Sequence, residues 1–324
     1  MTKEDSVLVA LKAISENPGP YCMSFGFDLK PLIRSVEKFG LINSPIVTKD
    51  REGRVEVVAG YRRILALKHL QREEIPCRDL SQAGLSSLQL LLLNFYDNLA
   101  TRPFNEVEKG MILNRFSPHV SRDEILRDFM PLLDLPSHEL TLELFSRLED
   151  LDQTIKESLV HRRISLQTVK ALVQMDPESR ATLVEWITAT KLNTNQQIQF
   201  IAYAIDISSR DQKKISELLK EKEVLDIFKN EKLNNPQKNK LLLNFLKSRR
   251  FPSLSRFEKA FQEKTASLGL PDGITIHHPP FFEDPDYRLE ILFKNGEGLR
   301  EKIHDLGKLR GLESLGDPWK EDEV

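Results

Sequence analysis

Two adjacent arginines that follow a glycine after one intervening residue are the strongest candidates for chemistry in this sequence. Residues 59–63 have the order Ala-Gly-Tyr-Arg-Arg. A glycine between a strand and the start of a helix lets backbone N–H groups approach an anion closely, and the helix dipole adds partial positive charge. The two guanidinium groups add forked donors for phosphate oxygens. The turn therefore predicts a phosphate site; the alternative is an exposed first helical turn whose arginines pair with carboxylates such as Glu73 or Glu74.

The elements on either side of this turn form a short pattern of helices and strands. Apolar residues recur at three- and four-residue spacing over residues 29–39, which predicts an amphipathic helix that ends at Gly40. Residues 44–49 and 54–58 flank a turn and predict a β-hairpin. A second amphipathic helix follows the arginines, and residues 75–78 predict a further short strand. This order predicts a small α/β domain that holds the phosphate turn between its hairpin and its second helix.

The rest of the chain changes character twice. Beyond residue 81 the strand pattern stops, and helices separated by prolines are predicted to about residue 248. The last part returns to helix, strand, strand, helix, with strands predicted at 274–276 and 287–293. This last part is too short to bury a good core alone, which favours a homodimer formed through it.

We therefore predict an α+β multidomain protein, which suits a length of 324 residues. The predicted segments are an α/β domain at 1–100, an all-helical domain at 101–210, a basic helical linker or subdomain at 211–250, a small β-hairpin-plus-helix domain at 251–312 and an acidic tail at 313–324.

Charge and cysteine usage exclude several classes of protein. The net charge of −2 hides a basic stretch at 212–250, so a polyanion would meet only part of the surface. Cys22 and Cys77 have no metal-ligand spacing and are predicted to be plain thiols. No apolar run is long enough for a membrane span, and the first residues lack the pattern of a signal peptide. A cytoplasmic protein without a membrane partner is expected.

Three segments resemble, in order and spacing, the N-terminal domain of the ParB family of chromosome- and plasmid-partitioning proteins. The segments are 40–47, 57–66 and 74–77. Downstream, Asp97 and Asn98 resemble the family's Glu-Asn motif, and the C-terminal part resembles its dimerisation domain. The resemblance implies a ParB/sulfiredoxin fold for the first domain and a helix-turn-helix in the helical domain.

Members of this family bind CTP with magnesium, hydrolyse it slowly and close a dimeric clamp around DNA. The resemblance implies that this chain binds CTP or another nucleoside triphosphate, with magnesium, and is at most a slow CTPase. It also implies a ParA-type ATPase as partner and association with the nucleoid. The implied nucleotide-binding residues are Gly60, Tyr61, Arg62, Arg63 and Asn98, and the implied metal ligands are Asp97 and Asn98. A helix cap or an exposed polar pair is the alternative for the last two.

DNA contacts are predicted from the helix-turn-helix and from separate basic clusters. The motif is expected near 125–148, with 137–147 as recognition helix. That helix carries Glu139 and Glu143 beside a single basic residue, and carboxylates repel DNA phosphates, so a remnant or a protein-binding surface is the alternative. The residues predicted to contact DNA are Arg147, Arg162, Arg163, Lys247, Arg249 and Arg250, the alternative being a solvated charged face.

The chain also departs from the family pattern. The first family box, normally Asn-Pro-x-Gln-Pro-Arg, is reduced to residues 17–24 without the glutamine or the arginine. Tyr61 and Asp97 stand where the family has glutamates, and Thr101 replaces a basic residue, although Arg102 follows it. Two other functions therefore stay open: an adaptor without sequence-specific DNA binding, and a small-molecule kinase or nucleotidase that uses the same pocket.

Overall fold

The computed structural model describes residues 6–15, 17–282 and 286–315. The chain divides into two compact units, 1–198 and 199–324. Most of the predicted acidic tail, residues 316–324, lies outside the described residues. Within the described ranges, no helix combines the length and apolar character needed to cross a membrane. The predicted domain boundaries stay predictions, and the two units are described separately below.

A four-stranded sheet opens the first unit. Strand β2 pairs with β3 in the predicted antiparallel hairpin, β4 pairs in parallel with β2, and β1 lies antiparallel to β4 at the edge. The strands are β1 Ser6–Ala10, β2 Ile46–Lys49, β3 Val55–Ala59 and β4 Glu74–Asp79. The mixed α+β character predicted from the sequence is therefore observed, whereas β1 was not predicted.

Two helices pack with this sheet. Helix α1 spans Lys30–Phe39 and ends at Gly40, whose φ of 72° lies in the left-handed region. Helix α2 spans Tyr61–His69 and buries Ile64 and Leu67 in the core of the sheet. The apolar spacing thus predicted both helices correctly. In α1 Val36 is buried, whereas Phe39 at the end of the same apolar face is 68% exposed.

The remainder of the first unit is helical. Helix α3 spans Ser87–Leu99 and α4 spans Glu106–Phe116; α5 is a continuous segment made of Arg122–Glu124, a π-helical turn Ile125–Phe129, and Met130–Leu132. There follow α6 Glu139–Ser146, α7 Gln153–Val160, α8 Leu166–Leu172 and α9 Pro177–Thr190, and α10 Thr194–Asp211 crosses the boundary between the units. Helices α5 and α6 lie where the helix-turn-helix is predicted, and DNA binding by this pair stays a prediction.

The second unit joins a helical part to a small two-stranded sheet. Its further helices are α11 Ile215–Leu219, α12 Lys222–Lys229, α13 Asn235–Arg250, α14 Pro252–Ser267 and α15 Gly296–Leu306. Strand β5, Ile274–His277, pairs antiparallel with β6, Arg288–Ile291, as predicted. A small apolar cluster that includes Phe261, Ile276 and Phe282 packs α14 against this sheet.

Candidate phosphate-binding site

Gly60 forms the turn between β3 and α2. Its φ of 89° and ψ of 20° lie in the left-handed region, which residues with a side chain rarely adopt. A Cβ at this position would stand 3.0 Å from Pro45 Cα and 3.1 Å from Pro45 Cβ. Glycine is therefore required both by the backbone angle and by the close approach of the chain before β2. Arg63 N donates to Gly60 O at 2.9 Å, so the chain turns into α2 directly at the glycine. The start of a helix exposes N–H groups and a partial positive charge, which suits this turn to an anion.

The turn opens into a cavity of about 190 Å³. This volume is below the roughly 300–1,000 Å³ of most small-molecule pockets, so a phosphate chain fits it better than a whole nucleotide. All the residues that the sequence predicted for nucleotide and metal binding line this one cavity. The lining residues are Cys22, Met23, Ser24, Leu32, Val58, Ala59, Gly60, Tyr61, Arg62, Arg63, Asn94, Asp97, Asn98, Thr101 and Arg102.

Arg62 points inward and keeps a spare donor. Its Nη2 donates to Glu108 Oε1 at 2.8 Å, and its guanidinium lies 4.5 Å from the ring centroid of Phe27. Its Nε is buried and has no hydrogen-bond partner among the described residues. Burial and the nearby charge of Arg102 lower the pKa of Arg62. Because an unpaired buried donor is costly, an anionic acceptor at Nε would be favourable.

Arg63 offers a whole guanidinium. The side chain is half-buried, and its Nη1 would lie 3.2 Å from a Cβ placed on Gly60, so the charged group covers the glycine turn. In the described part of the chain, no ion pair or side-chain hydrogen bond involves it, and neither arginine pairs with Glu73 or Glu74. The alternative of an arginine pair neutralised by those carboxylates is therefore not what the structure shows.

Arg102 has a different role, because its donors are used within the protein. Five hydrogen bonds account for the five N–H groups of a guanidinium. The acceptors are Asn98 Oδ1 at 3.1 Å, Pro103 O at 3.2 Å, Glu108 Oε2 at 2.6 Å, Met23 O at 3.3 Å and Ser24 Oγ at 3.3 Å. Arg102 thus links neighbouring segments of the cavity wall by hydrogen bonds, and it has no N–H group left for a ligand.

Asp97 and Asn98 differ in their freedom to bind a metal. Asn98 Oδ1 accepts from Arg102, and its Nδ2 donates to Asn94 O at 2.9 Å and Asn94 Oδ1 at 2.6 Å. Asp97 is exposed, and its carboxylate has no partner among the described residues. No group of three or more His, Cys, Asp or Glu side chains in the described ranges is assembled for a metal. Magnesium commonly uses one or two carboxylates together with substrate phosphates, and Asp97 at the cavity edge fits that role.

Glu108 is a residue that the sequence reasoning missed. It lies in the first turn of α4, and its side chain is 1% exposed. Its carboxylate joins Arg62 to Arg102 and also accepts from the backbone N–H groups of Phe25 and Asn105. The pattern Asn105-x-x-Glu108 is a capping box, in which the first residue also accepts from the N–H of the fourth. That pattern could have revealed the helix start, although not the two arginines.

The two cysteines are not placed for nucleophilic chemistry. Cys22 lines the cavity and Cys77 lies in the core of the sheet, and both are free and buried. Burial raises the pKa of the Cys22 thiol, and it raises the pKa of Cys77 to about 11. Both groups are therefore protonated thiols at neutral pH, whereas the thiolate is the nucleophile.

A family model described as the ParB N-terminal domain matches residues 2–91, which contain the sheet and the glycine turn. Residues 2–91 therefore belong to the ParB N-terminal domain family. A probable chromosome-partitioning protein ParB of Campylobacter jejuni is 28% identical over 195 residues, which cover 59% of this chain and 66% of that protein. A nucleoid occlusion protein of Bacillus subtilis is 27% identical over 201 residues, covering 60% and 67%. The chain thus spans about two thirds of the length of these curated relatives.

A solved structure of a ParB protein also matches part of this chain. It is the C-terminally truncated chromosome-partitioning protein ParB from Caulobacter crescentus complexed with CTP-γ-S, with 17% identity and a TM-score of 0.27. The match covers 56% of this chain and 98% of that one.

The basic cluster at the end of α13 is already paired with carboxylates. Lys247 Nζ lies 2.7 Å from Glu258 Oε1, and Arg249 Nη2 lies 2.8 Å from Asp211 Oδ2. Further ion pairs join Arg249 to Glu221 and Arg250 to Asp206. Lys247, Arg249 and Arg250 therefore form ion pairs within the second unit, and their contact with DNA stays a prediction.

Three other predicted DNA contacts are exposed arginines of the first unit. Arg147 follows α6, while Arg162 and Arg163 form the turn before α8. None of the three side chains has an ion pair among the described residues. On α6 itself, Glu139 pairs with Arg122 of α5, and Glu143 Oε1 lies 3.5 Å from the same guanidinium. The repulsion expected from the two carboxylates is thus partly offset by Arg122.

Proposed function

We propose that this chain is a ParB-type, DNA-associated protein that binds CTP with magnesium and acts as a dimeric clamp in chromosome or plasmid partitioning or in related control, such as nucleoid occlusion. One observation carries the nucleotide part of this proposal. Gly60, in its left-handed conformation, lines one cavity with Arg62, Arg63 and Asp97. Among the described residues, the buried Nε of Arg62, the guanidinium of Arg63 and the carboxylate of Asp97 have no hydrogen-bond or ion-pair partner.

The residues of the cavity divide into two groups. Arg62 Nε, the Arg63 guanidinium and the start of α2 would bind the phosphate chain. The Nε and that guanidinium have no acceptor among the described residues, and a helix start favours an anion. Asp97 would hold the magnesium ion, which when bound neutralises charge on the phosphates. Asn98 and Arg102 would hold the cavity wall in place, since their polar atoms are already hydrogen-bonded to other residues of that wall.

The same geometry favours binding over fast catalysis. Among the described lining residues, Asp97 has the free carboxylate, and there is no histidine. A general base must reach the proton that it removes, and Glu108 is fully hydrogen-bonded behind the arginines. We therefore infer at most a slow CTPase activity, and the cavity gives no support to the kinase or nucleotidase alternative.

Titration calorimetry tests the nucleotide proposal directly. We expect CTP to bind the wild-type chain in the presence of magnesium, more tightly than ATP or GTP. The variant Asp97→Asn should lose most of the magnesium dependence, because it removes the free carboxylate while keeping the shape of the side chain. Absence of binding by any triphosphate to the wild type would refute the proposal. Unchanged magnesium dependence in Asp97→Asn would remove Asp97 from it.

DNA binding is proposed for the exposed arginines of the first unit. Fluorescence anisotropy with random and genomic duplexes should show an affinity that falls with salt, because phosphate contacts release counterions. The double variant Arg162→Ala/Arg163→Ala should reduce the slope of log K against log salt by roughly 0.9 for each lost phosphate contact. Arg72→Ala removes an exposed arginine elsewhere and should leave the slope unchanged. A salt-independent signal would instead support the adaptor without sequence-specific DNA binding.

Dimer formation is proposed through the C-terminal sheet and α15. Several large apolar side chains in this region are exposed, including Leu292 at 64% and Phe293 at 53%. Leu289 and Ile303 are exposed as well, on β6 and α15. A small sheet with an uncovered apolar surface is typical of an interface between chains, and the small core of this region would gain from a second copy. A ParA-type ATPase stays a proposed partner on the basis of the family alone.

A further inference from the structure

Four segments of the first unit meet at the carboxylate of Glu108. These are the loop before α1, the first turn of α2, the segment after α3 and the start of α4. We propose that Glu108 is a positioning residue of the phosphate site, which sets phosphate affinity by orienting Arg62 without touching the ligand. This inference rests on the proposed phosphate site around Gly60 and adds to it a residue from outside the cavity lining.

The hydrogen bonds of Glu108 leave no capacity for a ligand. Oε1 accepts from Arg62 Nη2 at 2.8 Å and from Phe25 N at 3.0 Å. Oε2 accepts from Arg102 Nη1 at 2.6 Å and from Asn105 N at 3.1 Å. Four bonds occupy the four lone-pair sites of a carboxylate. Glu108 can therefore act on the cavity only through the groups that it holds.

The charges explain why a carboxylate is needed between the two arginines. Arg62 and Arg102 carry like charges close together, with side chains 29% and 19% exposed, so water screens their repulsion only partly. Glu108 lies between them and compensates that repulsion. Without its charge the two guanidinium groups would separate, and Arg62 is the freer one, since Arg102 is held by four further acceptors. The guanidinium that moves would therefore be that of Arg62, which is the one proposed to bind the phosphate.

The position of Glu108 also links the cavity to the helical part. It lies on α4, and α4 packs against α6 through Gly110. The capping box fixes the backbone of Glu108 to Asn105, and Asn105 Nδ2 donates to Phe25 O at 2.9 Å. Arg62, which is proposed to donate hydrogen bonds to the phosphate, is thus held by a side chain of a helix outside the α/β part of the unit. A shift of α4 would be transmitted to Arg62 through one side chain.

A double-mutant cycle tests this inference with two probes, magnesium–CTP and inorganic triphosphate. Glu108→Gln keeps the size and the capping box, because glutamine also serves in that motif, and removes the charge. We expect it to weaken triphosphate binding about tenfold, by analogy with the lower end of what loss of an outer hydrogen-bond partner costs at metal sites. In an Arg62→Gln background the same change should alter affinity less than about twofold, because the two residues act as one unit. Glu106→Gln, two residues earlier on the same helix, is the matched control and should bind like the wild type.

The outcomes separate this inference from the proposed function. Wild-type affinity in Glu108→Gln, or an equal loss with and without Arg62, would overturn the positioning role. If Glu108→Gln does not fold, as judged by circular dichroism, Glu108→Asp replaces it in the cycle with the same expected pattern, because the shorter carboxylate withdraws from Arg62. If CTP binds no more tightly than inorganic triphosphate, the proposal that the ligand is a cytidine nucleotide is refuted. The double-mutant cycle with inorganic triphosphate still decides whether Glu108 positions Arg62. Binding of neither probe to the wild type would overturn both.

Discussion

Replacement of Arg63 by alanine is expected to weaken magnesium–CTP binding by about tenfold to a hundredfold and to leave the stability of the fold unchanged. A hydrogen bond to a charged group contributes roughly 1.5–3 kcal/mol, which corresponds to this range of affinity. Stability should not change because the guanidinium makes no ion pair or side-chain hydrogen bond within the described residues. Titration calorimetry measures the first effect, and the thermal midpoint of unfolding measures the second.

Two further variants show whether the effect belongs to this position. Arg72→Ala removes an exposed arginine that lies just beyond the end of α2, and it should bind like the wild type. Arg63→Lys should recover only part of the lost affinity, because an ammonium group cannot donate as a planar fork. Wild-type affinity in Arg63→Ala would place the phosphate away from Arg63 and contradict the site.

Replacement of Gly110 by alanine is expected to destabilise the first unit by about 1–3 kcal/mol, which is the usual cost of overpacking a core. In the middle of a helix this exchange ordinarily stabilises by about 1 kcal/mol, so the expected sign is reversed. The reason is contact between helices: a Cβ on Gly110 would stand 2.4 Å from Phe145 O and 3.4 Å from Leu148 Cβ. Urea unfolding followed by circular dichroism measures the change in the free energy of unfolding.

The same variant reports on the predicted recognition helix. Phe145 belongs to α6, so relief of the overlap requires α6 to move away from α4. DNA affinity should therefore fall together with stability if α6 contacts DNA. Gly296→Ala is the matched control, since a Cβ there meets nothing within 4 Å, and it should change stability by less than about 0.5 kcal/mol. A Gly110→Ala variant as stable as the wild type would show that α4 and α6 are not packed as described.

The ParB N-terminal domain matched at residues 2–91 departs from the family pattern at Tyr61, and the cavity accommodates that change. Tyr61, which stands where the family pattern has a glutamate, packs edge-to-face on Phe27 with ring centroids 6.4 Å apart. Phe27 in turn lies against the guanidinium of Arg62. The exchange therefore adds an aromatic contact beside the phosphate turn and removes a negative charge from it. Both changes are compatible with binding an anion.

Local sequence was sufficient for the elements around the turn. The end of α1 at Gly40, the hairpin of β2 and β3 and the helix after Gly60 follow from apolar spacing and turn chemistry, which act over a few residues. Strand β1 was missed because a five-residue segment is defined as a strand by its partner, and that partner is β4, far along the chain. Short apolar segments are ambiguous until they pair.

The residues of the site also divide into those that local sequence predicted and those that only the folded structure brought together. The arginines were found from the glycine two residues before Arg62, since a strand, a glycine and a helix start are consecutive in sequence. Glu108 was not found, because it is 46 residues from Arg62 in sequence and meets it only when α4 packs behind the turn. Likewise, the basic residues at the end of α13 are paired by carboxylates such as Glu221, 28 residues from Arg249. Local patterns determine which groups can bind an anion, whereas the folded chain determines which of their charges are already compensated, because Coulomb energy depends on distance in space.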